Sequence, residues 1–98
     1  MTEYAEAHNS RGIRLAERGE LNEAGDQFFK AVETDPQYAE ARNNLGIILA
    51  RSGRIEEAIA QFQKALEANP TSREIRNNLG AALASRKRNP GADRSESR

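Results

Sequence analysis

Residues 5–38 overlay residues 39–72 without a gap, and 17 of the 34 aligned positions are identical. The matches include Ala5/Ala39, Asn9/Asn43, Gly12/Gly46, Leu15/Leu49, Gly19/Gly53, Ala24/Ala58, Phe28/Phe62, Ala31/Ala65 and Pro36/Pro70. A third copy opens at Arg73, runs through Asn77-Asn78-Leu79-Gly80 to Leu83-Ala84, and stops. A period of this length constrains the fold more than any single motif. Each unit is a supersecondary element that cannot bury its apolar face alone, so neighbouring units must stack into one core.

Each unit reads as two helices. Ala41, Leu45, Ile48, Leu49 and Ser52 recur at three- and four-residue steps, and so do Ile55, Ala58, Ile59, Phe62 and Leu66. Gly53 between the two runs suits a left-handed helix exit. Asn69-Pro70 ends the second run, because proline lacks the N–H a continuing helix would use and restricts the residue before it. Thr71 and Glu74 have the spacing of a capping box for the next helix. The pattern predicts helices over 3–18, 21–34, 37–52, 55–68 and 71–87. The fold class is therefore all-α: a short α-solenoid of antiparallel helix pairs, with two full units and a C-terminal capping helix. Residues 1–87 form its single domain, and 88–98, without apolar periodicity, form a disordered tail.

Composition narrows the function classes. Fifteen Lys+Arg balance fifteen Asp+Glu, which argues against a dedicated nucleic-acid or anionic-membrane binder. No apolar run approaches the ~20 residues of a membrane span, and Met1 opens into a polar segment unlike a secretory signal. With no cysteine there is no disulfide, thiol nucleophile or thiolate metal site. The chain reads as a cytoplasmic protein without cofactor or metal.

With these residues in view, the chain resembles the tetratricopeptide repeat family over residues 3–87. The second unit carries its pattern as Leu45-Gly46, Leu49, Gly53, Ala58, Phe62, Ala65 and Pro70, and the first as Gly12, Leu15, Gly19, Ala24, Phe28, Ala31 and Pro36. Departures are informative. His8, Arg42 and Arg76 stand at one aromatic position, and Leu15, Leu49 and Leu83 at the other. Arg11 replaces the leucine before Gly12, as suits an end unit with a wet outer face. Lys87 stands where the third unit should have its turn glycine, and Pro90 blocks a second helix, so Arg73–Lys87 reads as a lone helix covering 55–68. Gly12, Gly46 and Gly80 make room for close helix crossings, with Leu45 and Leu79 beside two of them, and Phe28 and Phe62 fill the space between units.

The resemblance implies a concave groove, lined by the first helices, that binds a peptide or partner segment. The positions facing it are Glu6, Asn9, Ser10, Ile13, Ala16 and Glu17; then Glu40, Asn43, Asn44, Ile47, Ala50 and Arg51; then Glu74, Asn77, Asn78, Ala81, Ala84 and Ser85. Two asparagine ladders stand out, Asn9-Asn43-Asn77 and Ser10-Asn44-Asn78. An amide side chain both donates and accepts, so such a row could hold an extended backbone with little sequence preference. It is similar to the asparagine ladder in the superhelix of O-linked N-acetylglucosamine transferases. The family's carboxylate clamp for chaperone tails is not matched: Asn44 fits one clamp asparagine, but Asn9, Ile13, Glu74 and Asn78 stand where Lys, Asn, Lys and Arg belong.

Catalysis finds no support. His8 is the only histidine and sits at a packing position. Glu3, Glu6, Glu40 and Glu74 read as solvated helix starts that favour the helix dipole, and Arg86-Lys87-Arg88 as its basic end. The leading expectation is a protein-interaction module that is not an enzyme; the alternative is a self-associating structural module or a piece of a longer array. The neutral total conceals a gradient: residues 1–38 hold 4 basic and 8 acidic groups (−4), 39–72 hold 4 and 4 (0), and 73–98 hold 7 and 3 (+4). That polarity favours head-to-tail contact between copies.

Overall fold

A computed structural model describes residues 2–88, with the side chain of Thr2 excepted. Five helices follow in order: α1 (Thr2–Glu17), α2 (Leu21–Thr34), α3 (Ala39–Arg51), α4 (Ile55–Ala68) and α5 (Arg73–Arg88). No strand occurs among the described residues. α1 pairs with α2 and α3 with α4; α2 packs against α3, and α5 closes onto α4. The architecture is the all-α stack of two helix pairs and a final helix that the period predicts. The tail expected at 88–98 lies, from residue 89 on, outside the described residues.

The turns within the two pairs are the same structure built twice. Gly19 and Gly53 take φ of 81° and 84°, a region costly for residues with a Cβ. Around Gly19 the Glu20 N–H reaches the Leu15 carbonyl at 3.0 Å and the Gly19 N–H reaches Ala16 at 2.9 Å. Around Gly53 the Arg54 N–H reaches Leu49 at 2.8 Å and the Gly53 N–H reaches Ala50 at 3.0 Å. These are Schellman closures, which satisfy carbonyls that the helix end leaves open.

Two helix starts differ from expectation by two residues, and α1 begins one residue early, at Thr2. α3 begins at Ala39 rather than residue 37, because Asp35 holds the preceding turn: its Oδ1 accepts from the Gln37 N–H at 3.2 Å and its carbonyl from the Tyr38 N–H at 3.0 Å. α5 begins at Arg73 rather than 71. Ser72, not Thr71, caps it, its Oγ accepting from the Ile75 N–H at 3.2 Å. Thr71 instead turns back to the Asn69 Oδ1 at 3.4 Å. The Thr71–Glu74 capping box does not form.

The core forms two clusters, each of which crosses a unit boundary. Ala5, Ala24, Phe28, Ala31, Val32, Ala41, Leu45 and Ile48 make one buried cluster, and Ile55, Ala58, Ile59, Phe62 and Ala82 the other; Leu49 packs against both. The rings of Phe28 and Phe62 occupy the space left by Gly12 and Gly46: a Cβ on either glycine would stand 2.5 or 2.6 Å from the ring. At the joints between units, size is exchanged. Gly25 faces Ile48 in the first joint, while the corresponding positions in the second are Ile59 and Ala82. A Cβ on Gly25 would meet Ile48 Cγ2 at 3.4 Å. Gly25→Ala should therefore raise stability by about 0.5–1 kcal/mol through helix propensity alone. A fall in the thermal midpoint would show that the joint has no room for a methyl group.

Candidate functional site

Two hollows of the same construction follow one another along the first helices. The hollow between α1 and α3 has a volume of about 220 Å³ and is lined by Ile13, Ala16, Glu17, Asn44, Ile47 and Arg51 with Phe28 and Ile48. The hollow between α3 and α5 has about 270 Å³ and is lined by Ile47, Ala50, Arg51, Asn78, Ala81 and Ser85 with Ile55, Phe62 and Ala82. Ile13, Ile47 and Ala81 are equivalent positions of the repeat, as are Asn44 and Asn78. A third, polar hollow of about 250 Å³ gathers Ala39, Glu40, Asn43, Asn44, Asn69, Ser72, Glu74 and Ile75 at the other end of α3.

The two asparagine rows separate by depth. Asn9 and Asn43 are each 3% exposed. Their Oδ1 atoms accept from the next unit's outer asparagine: Asn44 Nδ2 to Asn9 and Asn78 Nδ2 to Asn43, both at 3.0 Å. Asn9 also donates to the Tyr38 hydroxyl and Asn43 to Glu74 Oε2, both at 3.4 Å. Asn9 and Asn43 were expected to face the groove; they are instead brackets between units, drawn inward because burial obliges each amide to find partners. No buried side-chain nitrogen or oxygen among the described residues lacks one. Asn44 and Asn78 are half-buried, and among the described residues each keeps its carbonyl oxygen and one N–H turned to no other group. Asn77 is exposed and lies outside the three hollows.

The remaining predicted positions sort by the same geometry. Ile13 and Ile47 are half-buried walls, Arg51 is exposed and borders both apolar hollows, and Glu40 borders the polar one. Gly12, Ala24, Phe28, Leu45, Gly46, Ala58 and Phe62 are buried, and Leu79 packs half-buried against the second cluster. Pro36 and Pro70 sit exposed in the turns between units. Gly80 has open space where its counterparts hold phenylalanine rings.

Charge near the site leans acidic at the α1–α3 end. Burial pushes the Tyr38 phenol above its ordinary pKa, nearby Glu40 and Glu6 push it further, and the Asn9 hydrogen bond partly offsets them. The positions that lost their aromatics have a polar replacement that single-residue reading missed. His8 Nδ1 meets Gln27 Oε1 at 2.8 Å, and Arg42 Nη1 donates to Gln61 Oε1 at 2.9 Å. The pairing 8/27 and 42/61 repeats at the period, which is the signal that could have found it. Sequence reading also missed a hollow of about 460 Å³ on the α2–α4 side. Leu21, Gly25, Phe29, Ile48, Leu49, Arg54 and Gln61 are among its lining. The lone glycine at 25, where the second unit has Ile59, is its trace in the sequence. Among the described residues no cluster of His, Cys, Asp or Glu could hold a metal, and no helix is long and apolar enough to cross a membrane.

Comparison with known proteins agrees with this construction. The tetratricopeptide repeat family model matches residues 11–73 and again 43–92. No curated protein matches the chain. Among solved structures, two mutants of MamA superpose with a TM-score of 0.77 at 23% identity over 90% of this chain. The chain spans 64% and 48% of those two chains, under two thirds of either. At that identity the likeness speaks for the fold alone. The first TPR of Spaghetti (RPAP3), solved bound to an HSP90 peptide, aligns with a TM-score of 0.49 at 18% identity over 87% of this chain and 94% of its own. Two overlapping family matches, carried by helix pairs of the same turn and the same glycine–phenylalanine crossing, leave one conclusion: the chain belongs to the tetratricopeptide repeat family.

Proposed function

We propose that the face lined by α1, α3 and α5 holds an extended segment of a partner protein, by binding and without catalysis. The observation that carries this reading is the repetition of the hollow. Two apolar recesses one unit apart each have an outer asparagine, Asn44 or Asn78, whose amide is oriented by a buried asparagine behind it. A segment could set a small apolar side chain in each recess and exchange backbone hydrogen bonds with the amide beside it. Pre-oriented amides lose little rotamer freedom on binding, which is where such polar contacts gain affinity. The family is one of protein-interaction modules, which supports a protein or peptide partner.

Asn44→Ala with Asn78→Ala removes two amides, each worth about 0.5–1.5 kcal/mol net. The double variant should bind a captured partner peptide roughly tenfold or more weakly. Because Asn9 and Asn43 each lose a donor to a buried oxygen, its stability should also fall by about 1–3 kcal/mol per site, and binding is compared well below its thermal midpoint. Chemical-shift mapping should place the peptide at Ile13, Asn44, Ile47, Asn78 and Ala81. Shifts confined to the α2–α4 side, with the double variant binding as the wild type does, would overturn the groove reading.

A further inference from the structure

We propose that the outer stripe of α5 is a docking site for the outer stripe of α2 on a second copy of this chain. Twice within the molecule the structure shows how such a stripe is covered. In each full unit the first helix presents a glycine to a phenylalanine ring of the second helix, Gly12 to Phe28 and Gly46 to Phe62. α5 repeats the pattern as Arg76, Gly80, Leu83 and Lys87, four residues on one stripe at helical spacing. Among the described residues nothing lies within 4 Å of a Cβ on Gly80, and Leu83 is 36% exposed. Ile75, Leu79 and Ala82, centred about 100° around α5 from this stripe, form the side packed on the body of the molecule.

The occupant follows from what α2 leaves outside. Ala24, Phe28 and Ala31 face the core, which turns Asn22, Asp26, Phe29 and Glu33 outward. Phe29 is 53% exposed. One stripe is therefore base, glycine, leucine, base, and the other is acid, phenylalanine, acid. Laid antiparallel, as α4 lies on α3, Phe29 of one copy would enter the notch at Gly80 of another. Glu33 then stands opposite Arg76, while Asp26 stands opposite Leu83, one turn from Lys87 and within reach of its long side chain, and Asn22 stands opposite Lys87. Neither Arg76 nor Lys87 has an ion-pair partner among the described residues, whereas Arg86 is held by Glu56 at 3.2 Å. The alternative of α5 against α5 sets Arg76 facing Lys87, which like charge opposes. Because the two patches differ, the contact is heterologous and assembly proceeds head to tail, into a ring if the rotation closes and a filament if it does not.

Two variants test this without disturbing the fold. Phe29→Gln places the residue that the second unit itself has at the equivalent position, Gln63, and Gly80→Phe fills an open notch. Sedimentation velocity should show wild-type oligomers growing with concentration and receding as salt rises through the Debye-screening range of about 0.05–0.5 M. Each variant alone should raise the concentration needed for association about tenfold or more. Mixed together, they should restore a one-to-one pair and nothing larger, because Phe29→Gln keeps its α5 stripe and Gly80→Phe keeps its α2 stripe. A wild type that stays monomeric at millimolar concentration, a Phe29→Gln variant that associates normally, or a mixture without the pair would each overturn the proposal.

Discussion

Phe62→Ala should cost about 3–5 kcal/mol of stability, read as a shift of the urea midpoint at unchanged slope. Phe62 is 2% exposed, and its ring fills the crossing of α3 over α4 at Gly46. It also belongs to the cluster that includes Ala82 of α5. Truncation removes apolar burial worth about 1.5–3 kcal/mol and leaves a cavity, because backbone on both sides fixes the crossing distance. A domain of this size has a total of ~5–15 kcal/mol to lose, so the variant should sit near its unfolding threshold at ambient temperature. Phe29→Gln is the control: an exposed ring changed to the second unit's own residue should move stability by under about 0.5 kcal/mol. A loss below 1 kcal/mol for Phe62→Ala would mean that α4 collapses onto α3 freely, against the crossing geometry described above.

Glycine-to-alanine substitution at one repeat position should change sign along the chain. Gly46→Ala introduces a methyl group 2.6 Å from the Phe62 ring, with two further ring carbons at 2.8 and 2.9 Å. Overpacking of this kind costs about 1–3 kcal/mol, which outweighs the ~1 kcal/mol of helix propensity that alanine brings. Gly80→Ala meets nothing within 4 Å among the described residues and should gain that ~1 kcal/mol undiminished. Thermal midpoints of the two variants should therefore move in opposite directions from the wild type. A shift in the same direction would mean that Gly46 is retained for something other than the ring above it.

How much of this could be read from the residues alone depends on what kind of fact each one is. The helices, the turn glycines and the Phe28 and Phe62 crossings follow from periodicity and steric size, which a repeat prints twice. Helix starts are a finer matter. Thr71 and Ser72 are both acceptable caps by residue type, and only the direction of the Ile75 N–H selects Ser72. The asparagine rows show the same limit. Asn43 and Asn44 are neighbours, about 100° apart around α3, and the tilt of one helix on the next sends the first inward and leaves the second at the groove. The stagger was nonetheless present in the sequence. The bonded partners Asn9/Asn44 and Asn43/Asn78 are each 35 residues apart, one more than the period. The α2–α4 hollow was hidden because it arises from a difference between units, Gly25 against Ile59, and overlaying repeats emphasises what they share.

That difference also governs how the molecule could be lengthened. A tandem duplication of residues 39–72 would bring Ile59 against a new copy of Ile48, two branched side chains where each existing joint has one large and one small residue. Duplicating residues 15–48 adds the same length but reproduces the Gly25–Ile48 joint unaltered. The exchangeable module of this solenoid is therefore phased on its seams, from the end of one first helix to the end of the next, and repeating residues 39–72 would jam each new joint.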